Sequence, residues 1–423
     1  MRMLHYISYL LIRLFLFPFS LLPYAWIHCI GKRLAYLIFP LLIKYRKMAL
    51  SNLALASDLH LSLSEIERLA KESLANLLIT ALEYGKLARE KNIHKAVCCI
   101  NPEEASQIIQ SGQGIIFFCA HQANWEVLFL EGTSRMPGVA IGQPIANKYL
   151  YAWIQKMRQK FGGLMIEPKQ SVKEGLRALK RGAFLGIVGD QALPEGGFSS
   201  SFLGRPAFTS PLPAILSHKT GAPMIVATTV RKEGRYEIQY SPAFWPDESK
   251  SMEEDVQRLM LKTLQILQET IKQHPEQWLW QHNKWKHQGH KDFPGKQKKR
   301  YRMDCLAVFL PQDENLQDLW IPFLQTLREL YPTELLTLYA PENMPLPSGF
   351  QATVVRYTKN KELKIKDYRF KLVFNFTHDK SLTRHFLRLA AFEVLTLEKL
   401  AHLSGLPKES LSSQLRQVIL NAR

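Results

Sequence analysis

The stretch that decides the fold is residues 114–126, GIIFFCAHQANWE. Residues 114–120 are an uncharged apolar run of Gly, Ile, Phe, Cys and Ala, which reads as a buried strand. The run stops at His121. Glu126 follows, and behind it an apolar stretch, 127–130, suits a helix. A strand, a tight turn and a helix start are thus expected in immediate succession. The strand end holds His121 still, and the turn can bring the Glu126 carboxylate back to one imidazole nitrogen. The other nitrogen stays free to take a proton from a hydroxyl, because a carboxylate fixes the tautomer and stabilises the imidazolium that forms. No Ser or Cys nucleophile occupies the turn, and Cys119 is read as facing the sheet interior. The pattern suits a base that activates a substrate hydroxyl rather than a covalent intermediate. A histidine at a strand end followed by an acid is also common without any chemistry, so the surrounding chain has to decide.

Working outward, strand and helix alternate. Residues 96–100 read as a short strand, and 102–110 as a helix with Pro102 at its start and acids in its first turn. Residues 138–142 suit a strand and 147–161 a helix with Arg158 near its end. Residues 172–181 form a helix stopped by Gly182, and 184–188 a buried strand ending in Gly189-Asp190-Gln191. This order predicts an α/β fold with a mixed, mostly parallel sheet and helices on both faces. His121 and Asp190 each follow an apolar strand directly. In parallel strands both would lie at the carboxyl edge of one sheet, where open α/β sheets bind ligands. The Gly-rich loop 192–208 is expected to cross that edge, its aromatics, Phe202 among them, suiting an acyl chain or lipid. A helix over 209–220, paired strands over 221–231 and 235–240, and a long helix over 252–273 complete the region. Upstream, 62–90 is the best helix in the chain, with a capping box at Ser62–Glu65 or Ser64–Glu67. Its face of Ile66, Leu69, Leu74 and Leu77 reads as core packing.

The ends of the chain carry the rest of the organisation. Residues 14–30 hold no formal charge, but Pro18 and Pro23 interrupt them and basic residues flank them. Arg13 splits the apolar region and no small-residue cleavage site follows, so a signal peptide fits poorly. Membrane attachment is expected, and the Lys and Arg residues after the segment favour a cytoplasmic body. The formal net charge of +18 points to anionic lipid, nucleic acid or an acidic protein as partner. Nucleic acid is disfavoured, because no basic strand face interleaved with aromatics is present. Five Cys without a C-x-x-C give neither a disulfide framework nor a zinc pattern. The predicted domains are an anchor over 1–48, a catalytic body over 49–290, a basic linker over 291–302 and a further α/β domain over 303–423. That last domain has strands at 305–310, 335–339, 354–356 and 371–376, and helices at 316–330, 382–392 and 408–420. It is weakly similar to half of a Rossmann-like glycosyltransferase, and its role is not legible.

Several motifs carry a resemblance to the lipid A biosynthesis lauroyl/myristoyl acyltransferases. HQANWE at 121–126 resembles that family's H-x-x-N-W-E, and YRKMALSNLALA at 45–56 resembles the stretch after its anchor. The helix from Asn147 to Arg158, the Gly189-Asp190-Gln191 strand end, SFLGRPA at 201–207 and PEQWLW at 275–280 follow in the family's order. Together they cover roughly the first 290 residues. Ala123 stands where the family commonly has Gly, a strained choice if that position needs positive φ, and Lys284 stands where Arg is more usual. The resemblance implies a glycerolipid-acyltransferase-like fold at the inner membrane. It implies transfer of an acyl chain from acyl carrier protein to a hydroxyl on a 3-hydroxyacyl chain of a lipid A precursor. His121 would be the general base, oriented by Glu126. Arg158 would stabilise the thioester oxyanion or a substrate phosphate. Asn124, Asp190, Gln191, Phe202 and Trp278 would contact or support the substrate. No metal or bound cofactor is implied. Two other readings are a glycerolipid acyltransferase, which shares the His-x4-acid logic, and a basic membrane-tethered binding protein without activity.

Overall fold

The computed structural model describes residues 2–286, 297–312, 317–347, 349–407 and 410–420. The chain divides into two compact units, one of Met1–Leu42 with Asp58–Lys284, the other of Ile43–Ser57 with Trp285–Arg423. Three helices open the chain: α1 (Arg2–Leu21), α2 (Tyr24–Ile38) and α3 (Ile43–Leu55). α1 continues through Pro18, and Pro23 marks the break before α2. α1 is long and apolar enough to cross a membrane. Met3, Leu4, Leu11, Leu14 and Phe15 face outward along it.

The first unit is built on α4 (Leu63–Arg89), whose capping box joins Ser62 and Glu65 as expected. Then follow β1 (Val97–Cys99), α5 (Glu103–Gln110), β2 (Ile115–Cys119), α6 (Glu126–Arg135), β3 (Gly138–Ile141), α7 (Lys148–Arg158) and β4 (Leu164–Ile166). After these come α8 (Ser171–Lys180), β5 (Phe184–Val188), β6 (Phe198–Phe202), β7 (Arg205–Thr209), α9 (Leu212–Thr220), β8 (Met224–Lys232), β9 (Arg235–Tyr240) and α10 (Met252–Gln273). Seven strands form one mixed sheet in the order β1-β9-β8-β2-β5-β3-β4. Only β8 and β9 pair antiparallel, so the sheet is mostly parallel. β2 sits centrally and is buried at every position, which is why its sequence shows no polar alternation. Ile115, Phe117 and Cys119 join the core formed with Val127, Leu130 and Phe184; Cys119 does face inward. Stretch 192–208 differs from the expected loop, because β6 and β7 pair as an antiparallel hairpin. Its alternating pattern of exposed Ser and buried Phe202 is that of a half-buried strand.

The second unit carries a five-stranded sheet, wholly parallel, in the order β12-β11-β10-β13-β14. Its elements are β10 (Cys305–Phe309), α11 (Gln317–Leu330), β11 (Leu335–Pro341), β12 (Thr353–Tyr357), β13 (Leu372–Asn375), α12 (Lys380–Arg388), β14 (Glu393–Leu395), α13 (Leu397–Ser404) and α14 (Leu411–Leu420). The helix expected over 382–392 stops early, and β14 takes up the chain behind it. Of the predicted linker, 291–296 lies outside the described residues, whereas Tyr301 is packed into this unit's core. α3 belongs here too. Lys47 donates to the Ala391 carbonyl at 2.6 Å, Ser51 to that of Arg369 at 3.1 Å, and buried Lys371 bridges Asn52 and Asp304.

Candidate active site

The parallel pairing of β2 with β5, Cys119 opposite Val188, sets His121 and Asp190 side by side at the carboxyl edge. Asp190 grips the histidine twice. One carboxylate oxygen accepts the His121 backbone N–H at 3.0 Å, and the other meets the ring Nδ1 at 2.7 Å. The Trp278 indole N–H adds a third bond to the carboxylate, at 2.8 Å. Burial would raise the Asp190 carboxyl, but His121 and the donated N–H groups outweigh it and hold it down at about 2. Ionised, Asp190 can only accept, so Nδ1 carries the ring proton and Nε2 presents its lone pair. Burial would lower the His121 pKa, yet the Asp190 charge wins and raises it. Gln191 Nε2 lies 3.5 Å from His121 Nε2, at the mouth of the site, and the Trp125 ring stands edge-on to the imidazole at 4.7 Å.

The expected bond between Glu126 and His121 is not made. Glu126 is the first residue of α6, and the turn before it aims its carboxylate elsewhere. Ala123 takes φ 48°, the left-handed conformation that favours Gly. Its N–H donates to the Gln277 carbonyl at 2.7 Å and its carbonyl accepts from Thr80 at 3.1 Å, which hold it there. The Asn124 side-chain oxygen accepts the Glu126 N–H at 3.1 Å. So oriented, Glu126 makes a bidentate pair with Arg158, at 2.7 Å to Nε and 2.5 Å to Nη2, and accepts the Tyr84 hydroxyl at 2.7 Å. A guanidinium offers full charge and two parallel bonds, a stronger partner than an imidazole. Arg158 outweighs burial and lowers the Glu126 pKa. Two carboxylates thus hold two different groups: Asp190 positions the histidine and Glu126 the arginine.

His121, Glu126, Arg158 and Gln191 open on one cleft of about 430 Å³, whose remaining wall includes Trp125, Phe129 and Met165. Trp125, Phe129, Ala140 and Val188 also border a small apolar gap of about 50 Å³ between β2 and α6. This edge holds a buried histidine–carboxylate pair, a positioned arginine and a part-apolar cleft.

A family described as bacterial lipid A biosynthesis acyltransferase matches residues 1–287. The chain belongs to this family. Among its relatives is the lipid A biosynthesis palmitoleoyltransferase of Escherichia coli (strain K12), 23% identical over 277 residues that span 63% of this chain and 86% of the relative. The lipid A biosynthesis acyltransferase of Shigella flexneri matches with the same identity and coverage.

Four residues expected at the acyltransferase's substrate stand behind the cleft, Asp190 among them as the carboxylate behind His121. Asn124 is fully buried, and its amide donates to Glu83 at 2.7 Å, so both ends are engaged within the protein. Phe202 is fully buried with its ring 5.7 Å from that of Trp278. Trp278 is itself enclosed, its indole N–H given to Asp190. They stand behind the carboxyl edge of the sheet and do not line its cleft. The stretch 277–279 braces the turn from below: Leu279 N–H donates to the His121 carbonyl at 3.0 Å, and Gln122 bridges to Trp278. Lys284 is fully buried, donates to Thr209 at 2.7 Å and lies 4.9 Å from the Phe202 ring centroid, and burial lowers it to about 8.

Sequence reading missed Thr80, Glu83 and Tyr84 of α4. Glu83 receives Asn124 at 2.7 Å, the Tyr236 hydroxyl at 2.5 Å and His28 at 2.7 Å. The signal was present: an acid beside Leu82 on a stripe otherwise read as apolar core is a buried charge that needs partners.

Proposed function

We propose that this chain transfers an acyl chain from an acyl-carrier-protein thioester to the hydroxyl of a 3-hydroxyacyl chain on a lipid A precursor. His121 Nε2 takes the hydroxyl proton as that oxygen attacks the thioester carbonyl. Asp190 stabilises the imidazolium, and the Arg158 N–H groups not engaged by Glu126 stabilise the oxyanion. When the tetrahedral intermediate collapses, the C–S bond breaks and the proton passes from His121 to the departing thiolate. A new ester and a free carrier thiol result. The observation that carries the reading is the Asp190–His121 pair, whose second nitrogen faces a cleft with an apolar wall. The exposed apolar side of α1 suits attachment to the inner membrane, with the body on the cytoplasmic side, where acidic carrier protein meets a basic surface.

The test is acyl transfer from labelled acyl carrier protein to a tetra-acylated lipid A precursor in detergent. Wild type transfers the label, and His121→Ala loses at least ~100-fold, the range for a general base. Transfer to glycerophosphate instead would assign the chain to glycerolipid synthesis. No transfer to either acceptor would leave a binding protein.

A further inference from the structure

Beside the cleft, α1, α4 and α7 wall a second and larger hollow of about 770 Å³. The two share helices but no lining residue: Tyr84 and Arg158 face the cleft, while Gly85 and Met157, their chain neighbours, face the hollow. Four cations line it, Arg13, Arg89, Lys156 and Lys160, and no acidic side chain among the described residues does. Their hydrogen-bond and ring partners are neutral, and the one carboxylate that acts on them, Glu90 near Lys160, does not line the hollow. The Arg13 guanidinium lies 4.8 Å from the Trp153 ring centroid and donates to the Tyr9 hydroxyl at 2.7 Å. Arg89 stands 5.8 Å from the Phe17 centroid and donates to Ser20 at 3.4 Å. Lys160 donates to the Leu87 carbonyl at 2.8 Å.

Four like charges in one hollow repel, and the single Glu90 carboxylate near Lys160 does not balance them. An anion does. The Trp153 ring beneath the Arg13 guanidinium and the Tyr9 hydroxyl hold it in place, and its N–H groups not given to Tyr9 can take a phosphate. The same helix that carries Arg13 exposes Leu11, Leu14 and Phe15 to the outside. A ligand whose charged end sits among the cations therefore finds an apolar surface for its tail. We propose that this groove binds the phosphate headgroup of an anionic lipid, its acyl chains lying along α1. The phosphate can belong to the phosphorylated acceptor or to a phospholipid of the bilayer, and the chemistry of the contact is the same.

The full chain in detergent is titrated by calorimetry with short-chain phosphatidic acid, with short-chain phosphatidylcholine and with inorganic phosphate. Wild type binds one phosphatidic acid per chain and binds the other two at least 10-fold more weakly. The double variant Arg13→Gln/Lys156→Gln loses roughly 25-fold, about fivefold per charge removed. Lys180→Gln/Lys219→Gln removes two exposed charges elsewhere and stays within about twofold. Equal losses in the two variants would mean unspecific charge attraction and overturn the site. Equal binding of phosphatidylcholine, or of inorganic phosphate, would overturn the lipid headgroup. Lys156→Gln alone, on an exposed side chain, gives about a fivefold loss should the double variant fold poorly. His121→Ala binds as wild type does, so the result stands whether or not acyl transfer is found. An equal loss of binding of a tetra-acylated lipid A precursor and of phosphatidic acid in Arg13→Gln/Lys156→Gln assigns the groove to the acceptor phosphate, and a loss of phosphatidic acid alone assigns it to bilayer phospholipid.

Discussion

The chain holds two α/β sheets whose carboxyl edges have had opposite fates. In the first, His121 and Asp190 leave β2 and β5 with one imidazole nitrogen facing a cleft. In the second, the equivalent edge of β13 carries an equally polar set that closes on itself. The Asn375 amide donates to the Asp379 carbonyl at 3.0 Å and to Thr383 at 2.8 Å, and its oxygen accepts from Thr377 at 2.8 Å. Asp379 caps α12 through the Ser381 N–H at 2.7 Å. Polar residues at a sheet edge do not make a site. What distinguishes the first edge is a titratable atom held rigidly from behind and left open in front.

Substituting the residue behind the histidine gives the largest expected effect. In Asp190→Asn, an amide donor can replace the carboxylate at Nδ1, which moves the ring proton to Nε2 and removes the base. By analogy with a triad aspartate, kcat falls by roughly 10³–10⁴-fold, while Asn375→Ala leaves acyl transfer within about twofold. A rate retained in the first variant or lost in the second would break the contrast.

The arginine side comes next. Arg158→Lys keeps a charge but loses the bidentate pair with Glu126, and kcat falls by about 10²-fold. Glu126→Gln falls by a similar or smaller factor on the plateau above the acid limb. Its acid limb moves to lower pH by less than that of Asp190→Asn, because the Glu126 charge raises the His121 pKa less than Asp190 does, and an equal shift would mean that Glu126 holds the histidine as Asp190 does.

The acid limb itself is the third check. The base must be neutral, and the Asp190 charge raises the His121 pKa. Activity therefore rises with pH through a value above the ordinary histidine pKa of about 6.5 and falls tenfold per unit below it. Without the Asp190 charge, burial dominates and the limb moves to lower pH in whatever activity remains.

Two stability effects are smaller. Asn375→Ala leaves the Thr377 and Thr383 hydroxyls short of a partner and lowers unfolding free energy by about 1–3 kcal/mol, read by denaturant titration of the full chain. Ala123→Gly relieves the left-handed strain but adds chain entropy in the unfolded state, a net gain of roughly 0.5 kcal/mol.

Much of the candidate site was legible because the apolar runs end at its polar residues. The strands leading to His121 and Asp190 were plain from composition, and parallel pairing alone puts their ends together. Which carboxylate serves the histidine was not legible. Glu126 is near in sequence and Asp190 is 69 positions away, yet the bend at Ala123 reverses the choice. Glu83 and Tyr84 were hidden for a related reason. Helical periodicity reports that a face is buried, and it is silent on whether burial is against side chains of the core or against a polar network. The hairpin of β6 and β7 was masked by its glycines, and α3 by distance: Asn52 meets Lys371 319 positions later.

The bracing of the His121 turn by residues 277–279 has a bearing on synthesis. During synthesis α1 leaves the ribosome long before the stretch through Leu279, which follows it far along the chain. Until then Asp190 lacks its indole donor and the turn at Ala123 lacks the carbonyl that holds it. A nascent chain can thus expose the apolar side of α1 before the turn that holds His121 is braced, so that the surface is set first and the histidine's geometry last.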